Sequence, residues 1–358
     1  MSIVKPRIVR RTVFGRNRKG ANTIGGMFGL AEPIPSAQGN TPPFLTESSV
    51  LCANASSGIA LLAARLTPIR VWLPSYLCGA VRAALGRCDA KTIFYELDYD
   101  LTMRSSAWVG DVQRGDLIVV IDYFGYPCAV DCDEVRARGG WVLEDASQAL
   151  LSGHVGRHAD FVVFSPRKFL GVPDGGILVT KDLAIAALRD VPERWWLKAL
   201  AAATGRRDFD LHGGANHWFK LFQEIEANRP IGSYAMSQLS RLLLVNCFDY
   251  RAIAKRRIAN YRRLSQTLSD VALFPSLPSG VVPLGFPIRV RNRRSVLQSL
   301  FNEQIFPPVH WPLHGVVPKV FKDSHRLARN IMTLPCDQRY DYRDMDRMGA
   351  IVRTAILS

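Results

Sequence analysis

The sequence offers little from which to build a metal ribbon or a disulfide scaffold. Its seven cysteines, Cys52, Cys78, Cys88, Cys128, Cys132, Cys247 and Cys336, are odd in number and scattered, with no Cys-x-x-Cys pair and no His–Cys cluster. Such usage reads as reduced, mostly buried thiols, and no metal is expected. No apolar run reaches the length of a membrane span. The N-terminus is basic, with no acidic residue before Glu32, yet it lacks the apolar stretch of a secretory signal. The expectation is a cytoplasmic protein with no membrane partner. Also missing is any interleaving of aromatic and basic residues, or a helix-turn-helix pattern, that would turn the formal charge of +15 into a nucleic-acid surface. The basic residues are dispersed: Arg251, Lys255, Arg256, Arg257, Arg262 and Arg263 follow one helical stretch, and Arg289, Arg291, Arg293 and Arg294 lie elsewhere. They read as a solvated helix face or as a match to an anionic small substrate, and no nucleic-acid partner is expected.

What the chain does have is a 48% apolar composition over 358 residues, enough for one large domain and one small one. It also has one stretch, residues 141–180, in which strand-like runs end on polar side chains. Trp141-Val142-Leu143 runs into Glu144-Asp145. Asp160-Phe161-Val162-Val163-Phe164 ends at Ser165, with Lys168 just beyond, and Gly176-Ile177-Leu178-Val179-Thr180 opens from Gly175. Short apolar runs punctuated by Gly, Pro and Ser read as strands of a buried sheet. Ligands in open α/β sheets sit at the carboxyl ends of such strands, so Asp145 and Lys168 point into one crevice. The pair could be an ion pair and nothing more. It also meets a chemical need: pyridoxal phosphate requires a lysine amine for its Schiff base and a carboxylate beside its ring nitrogen. Gln148, one helical turn after Asp145, is placed to bond the ring face or the phenolic oxygen of such a cofactor.

The pattern Glu144-Asp145-Ala146-Ser147-Gln148-Ala149, then Phe164-Ser165-Pro166-Arg167-Lys168, then Asp174-Gly175-Gly176 resembles the DegT/DnrJ/EryC1/StrS family of fold-type I pyridoxal-phosphate enzymes, chiefly sugar aminotransferases. The resemblance implies an α/β fold with a mostly parallel mixed sheet in a large domain and a smaller α+β C-terminal domain. By that resemblance Asp145 pairs with the pyridine nitrogen, Lys168 forms the Schiff base and Ser165 helps hold the phosphate. It implies a homodimer with a shared active site. It also implies transfer of an amino group from a small amino donor, usually glutamate, to a keto acceptor, most often a keto-sugar on a nucleotide. Dehydration, elimination or epimerisation on the same cofactor, or a non-catalytic regulator on the same fold, are the alternatives. Retention of Lys168 favours transamination, because the family's sugar dehydratases replace that lysine.

Along the rest of the chain, Ser56, Ser57 and Gly58 precede an Ala-rich apolar helix. That is an anion site in general terms, an N-cap in the plainest terms, and the phosphate turn by resemblance. Val71-Trp72-Leu73-Pro74-Ser75-Tyr76 reads as a strand and its exit. The family's ring-stacking position falls on Cys78, which is not aromatic, and leaves Tyr76, Tyr123 or Phe124 for that role. Strands are expected at 91–98 and 116–122, and a helix at 131–138. One long helix is expected at 237–268, a strand at 280–291 and a helix at 294–303. Residues 1–240 would form the large domain, with 1–50 wrapping it or a dimer partner, and 241–358 the small one. Ser233 falls where relatives reach across the dimer to the cofactor phosphate. His310, Trp311 and Tyr123 are candidate substrate contacts, and 181–230 carry no motif.

Overall fold

Seven short runs of β-branched and aliphatic residues pair into one sheet in the computed structural model, which describes residues 23–32, 41–180 and 187–357. In chain order, β1 (Ile24–Gly25) is followed by β2 (Ser49–Cys52), β3 (Arg70–Pro74), β4 (Lys91–Tyr95), β5 (Leu117–Ile121), β6 (Trp141–Asp145), β7 (Phe161–Phe164) and β8 (Gly176–Thr180). The sheet runs β2-β8-β7-β6-β5-β3-β4. Its β4, β3, β5, β6 and β7 are parallel neighbours, whereas β8 is antiparallel to both β7 and β2. This is the expected mostly parallel α/β architecture. Every residue of β5 is buried, as suits an apolar run covered on both faces.

Helices α1 (Ala55–Leu66), α2 (Gly79–Leu85) and α3 (Cys132–Ala137) lie between these strands in the chain. Residues 181–230 yield, in their described part, a helical hairpin of α4 (Glu193–His212) and α5 (His217–Ala227), turned through Gly213 and Gly214. The hairpin keeps a small apolar cluster of its own around Trp195, Ala199, Ala202 and Ile225.

The single helix expected at 237–268 is two, α6 (Gln238–Asn246) and α7 (Tyr250–Leu268). Asp249 breaks it: in extended conformation, its carboxylate accepts the Ala252 N–H at 2.9 Å and starts a new helix. The division expected at residue 240 falls inside α6.

Beyond it come β9 (Phe286–Arg289), α8 (Arg293–Asn302), β10 (Ile305–Phe306), α9 (Lys322–Asn330), β11 (Ile331–Leu334) and α10 (Tyr342–Leu357). β9 pairs antiparallel with β11, and β10 pairs in parallel with β1, so the N-terminal strand is stitched to the C-terminal part of the chain. The strand expected at 280–291 shortens to β9. Pro283 and Pro287 have no N–H to give a ladder. The Leu284 and Val282 N–H groups go instead to the Phe124 carbonyl and the Ser152 hydroxyl, each at 3.0 Å. One continuous apolar core runs from the sheet through Phe286, Leu300, Leu334 and Val352. Among the described residues no helix is long and apolar enough to cross a membrane.

Candidate active site

A cavity of about 1080 Å³ opens at the carboxyl ends of the sheet strands, and Asp145, Gln148, Ser165 and Lys168 all line it. Asp145 is the last residue of β6 and Glu144 its neighbour, so strand alternation sends the two side chains to opposite faces. Asp145 faces the cavity, is buried, and accepts the Ser147 N–H at 3.0 Å. Beyond β7 the chain leaves Ser165 in an extended bend, and Pro166 starts a single 3-10 turn that ends on Lys168. The fixed φ of proline suits that first position. Ser165 is buried, while Lys168 extends into the open space.

Gln148 is buried between the two halves of the site. Its amide oxygen accepts the Phe124 N–H at 2.7 Å, and its Nε2 is buried with no partner among the described residues. A buried donor without an acceptor is costly, so this group fits a polar ligand in the cavity. The N-terminus of α1 contributes next. Asn54 and Ser56 line the cavity. Asn54 caps the helix by accepting the Ser57 N–H at 2.9 Å, and its amide donates to the Pro230 carbonyl at 2.8 Å. Gly176 makes this approach possible, since a Cβ there would lie 2.1 Å from the Asn54 backbone.

Ser57 and Gly58 turn elsewhere. The Ser57 hydroxyl donates to the Pro230 carbonyl at 2.9 Å, and a Cβ on Gly58 would meet Leu178 and Val163 of the sheet. Of the expected phosphate turn, only Ser56 reaches the cavity.

Tyr76 and Tyr123, and Phe124 with them, also lie outside it. Tyr76 is fully buried and donates its hydroxyl to the His310 carbonyl, and the Tyr123 hydroxyl donates to the Tyr76 carbonyl. The two rings form a layer behind Trp311, whose centroid is 5.6 Å from that of Tyr76. Tyr76 is thus committed to packing, and the rings it supports, His310 and Trp311, face the cavity together with Cys78. His310 Nδ1 lies 2.9 Å from Thr333 Oγ1. Burial, and then the Lys168 ammonium, pull the His310 pKa down to about 3, so its imidazole is neutral at ordinary pH. Ser233 is half-buried away from this cavity, its carbonyl accepting the Arg189 N–H at 2.9 Å.

Three cavity residues carried no sequence signal of their own. Arg167, inside the Phe164–Lys168 pattern but unremarked there, donates to Glu226 at 2.6 Å, and Arg229 donates to the same carboxylate at 3.2 Å. Burial opposes the charge on Glu226, yet Arg167, Arg229 and Lys168 together hold its pKa below the usual glutamate value.

On the far face of the sheet, Asp122, Glu144 and His154 bring a ligand atom each to within 4.8 Å of one another. Burial pushes both carboxyl groups up to about 8, with mutual repulsion adding to the rise at Glu144. The Cys128 N–H binds Asp122 at 3.1 Å, His154 Nε2 lies 3.2 Å from Asp122, and the Gly156 N–H binds Glu144 at 2.7 Å. The cluster is a largely buried, hydrogen-bonded brace on the strand that carries Asp145.

The model of the DegT/DnrJ/EryC1/StrS aminotransferase family matches residues 46–353. Helicobacter pylori PseC, an aminotransferase involved in the biosynthesis of pseudoaminic acid, superposes with a TM-score of 0.65 at 14% identity, over 93% of this chain and 100% of that one. The putative sugar aminotransferase Spr1654 of Streptococcus pneumoniae, in its PLP form, gives a TM-score of 0.65 at 16% identity over 93% of each chain. DesI, solved in the presence of its TDP-sugar product, gives 0.62 at 21% identity over 86% of this chain and 80% of that one. At these identities the likeness shows the fold. No curated protein matches the chain.

Proposed function

Because the chain belongs to the DegT/DnrJ/EryC1/StrS aminotransferase family, we propose that it moves an amino group from glutamate to the keto group of a nucleotide-linked sugar. Pyridoxal phosphate is the cofactor of this family, and when bound it supplies an aldehyde that takes up amines and a ring that takes up electrons. The residues present fit it. Asp145 would hold the ring nitrogen, Lys168 the aldehyde carbon, the unpartnered Gln148 Nε2 the ring oxygen, and Ser165 with Ser56 the phosphate. Cys78 leaves the family's stacking position without a ring, and the neighbouring cavity-lining rings His310 and Trp311 would supply one. Lys168 Nζ takes the proton from the donor carbon that carries nitrogen and later returns one to the acceptor carbon. His310, being neutral, adds no second positive charge beside that amine.

The observation that carries this reading is that one cavity is lined by buried Asp145, by exposed Lys168 and by Gln148, whose buried amide nitrogen has no partner among the described residues. The nucleotide-linked acceptor is supported by DesI, whose structure was solved with a TDP-sugar product. In the same proposal the enzyme is a cytoplasmic homodimer. Its seven free cysteines suit a reducing compartment, and Ser233, lying outside its own cavity, would serve the partner's.

The test is the absorption spectrum of the protein with pyridoxal phosphate, wild type against Lys168→Ala, before and after glutamate. A visible band that needs Lys168 and bleaches with glutamate is the expected result. A Lys168-dependent band that glutamate leaves unchanged would point to another donor or to elimination chemistry, and no band at all would remove the cofactor assignment.

A further inference from the structure

The cavity has a second wall that none of this chemistry uses. Phe209, Trp218, Phe219 and Phe222 enter it from the α4–α5 hairpin, and Phe301 and Phe306 face it from α8 and β10. The rings form chains: Trp218 to Phe209 at 5.9 Å, Trp218 to Phe219 at 5.7 Å, and Phe301 stacked on Phe306 at 5.5 Å. Phe219, Phe301 and Phe306 leave 44%, 38% and 40% of their surface exposed, which is unusual for large apolar rings unless something lies on them.

The charges around this wall are already engaged. Arg206 donates to Asp210 and to the Gly25 carbonyl and lies 4.7 Å over the Trp218 ring. Arg229 is held by Glu226, and Arg339 by Asp337 and the Met27 carbonyl. An occupant of this wall therefore gains little from being an anion. One polar atom stands out: the indole N–H of Trp218, itself nine-tenths buried, has no acceptor among the described residues. Stackable rings with a lone donor suit a flat, uncharged heterocycle bearing a carbonyl.

We propose that the α4–α5 hairpin, with Phe301 and Phe306, forms a specificity subsite that stacks a flat, uncharged, carbonyl-bearing heterocycle carried by the amino acceptor. On the nucleotide-linked reading above, on which this inference rests, that ring is the acceptor's pyrimidine base. The hairpin thus selects the acceptor, whereas the strand ends handle the transferred nitrogen.

The test titrates the cofactor-loaded protein with thymidine, uridine and ribose by calorimetry. The nucleosides bind and ribose does not. Base stacking on an aromatic ring is worth enough that Phe219→Ala weakens nucleoside binding about tenfold, and Trp218→Ala weakens it more. Phe219 is the safer variant, because its half-exposed ring can be truncated without opening the hairpin core, and circular dichroism checks that it folds. With a nucleotide-linked substrate, Phe219→Ala raises KM for the acceptor far more than it lowers kcat. If nucleosides bind in a Phe219-dependent way but no nucleotide-linked keto-sugar is aminated, the subsite stands and the acceptor assignment falls. If such a sugar is aminated with the same KM by wild type and Phe219→Ala, the subsite is overturned while the acceptor assignment stands. A change of oligomeric state in Phe219→Ala also overturns it, by assigning the wall to a second copy of the chain.

Discussion

Two regions build the walls of one cavity by opposite means. Residues 141–180 present single polar atoms from the ends of buried strands, while the α4–α5 hairpin presents rings from helices and meets the first region through the Arg167–Glu226 ion pair. The first region is pinned from every side. β6 is hydrogen-bonded between β5 and β7. Phe169, next to Lys168, has its carbonyl held by Gln338 at 2.6 Å and by the fully buried Arg257 at 3.4 Å. The hairpin owns a separate small core, with the Trp195 indole bonded to the Ile225 carbonyl at 3.0 Å. On the proposed function, the groups that would meet a reacting atom sit on backbone paired on both sides. The surface proposed to choose among ligands sits on a hairpin with its own small core, joined to the strand-end region through Arg167 and Glu226.

The strongest way to sharpen that contrast is to remove one atom set from the rigid side. Asp145→Ala should cut the glutamate half-reaction at least about a hundredfold, the scale at which a positioned charge acts in a buried site. It should also weaken cofactor binding, measured by the absorption band at rising pyridoxal phosphate. A loss below tenfold would mean that Asp145 is not the ring's partner. The complementary break is made in the hairpin. Trp195→Ala empties a buried aromatic site, at a cost of about 3–5 kcal/mol to the local packing. Its expected signature is faster proteolysis within 193–227, with the Lys168-dependent band still formed. If the band vanished with the hairpin, the two walls would be one cooperative unit and the contrast would fail.

The same contrast explains what could be read in the sequence. Strand ends were legible because a buried parallel strand is a continuous apolar run, and its last polar residue announces itself. Asp145, Ser165 and Lys168, read in this way, all line the cavity. Which face a residue takes after the strand ends is not written in a run of apolar letters. Tyr76 and Tyr123 leave their strands into the layer behind Trp311, and Ser57 and Gly58 follow the helix turn away from the cavity while Ser56 does not. The break at Asp249 was hidden because the apolar and basic stripes of α6 and α7 join without a Gly or Pro. The hairpin was silent for a deeper reason. Its signal is spatial, with Trp218 and Phe219 opposite Phe301 and Phe306 far along the chain.

The smallest expected effect tests the brace beneath Asp145. Asp122 and Glu144 each hold a proton up to about 8, first because they are buried, whereas in the unfolded chain both ionise near ordinary carboxyl values. The folded protein therefore binds more protons than the unfolded one between those limits. The stability these groups contribute is complete at acid pH and is lost as pH rises through about 8. His154, whose pKa burial lowers, would add a slope of opposite sign at the acid end, so the informative comparison is pH 7 against pH 8.5. Glu144→Gln keeps an oxygen for the Gly156 N–H and gives Asp122 a permanent donor, which removes the repulsion that ionisation would create. Its urea midpoint should fall less than that of wild type between the two pH values, and it should be the more stable protein at pH 8.5. Parallel curves would mean that Asp122 and Glu144 ionise without repelling each other, and that the brace beneath Asp145 does not link stability to pH in this range.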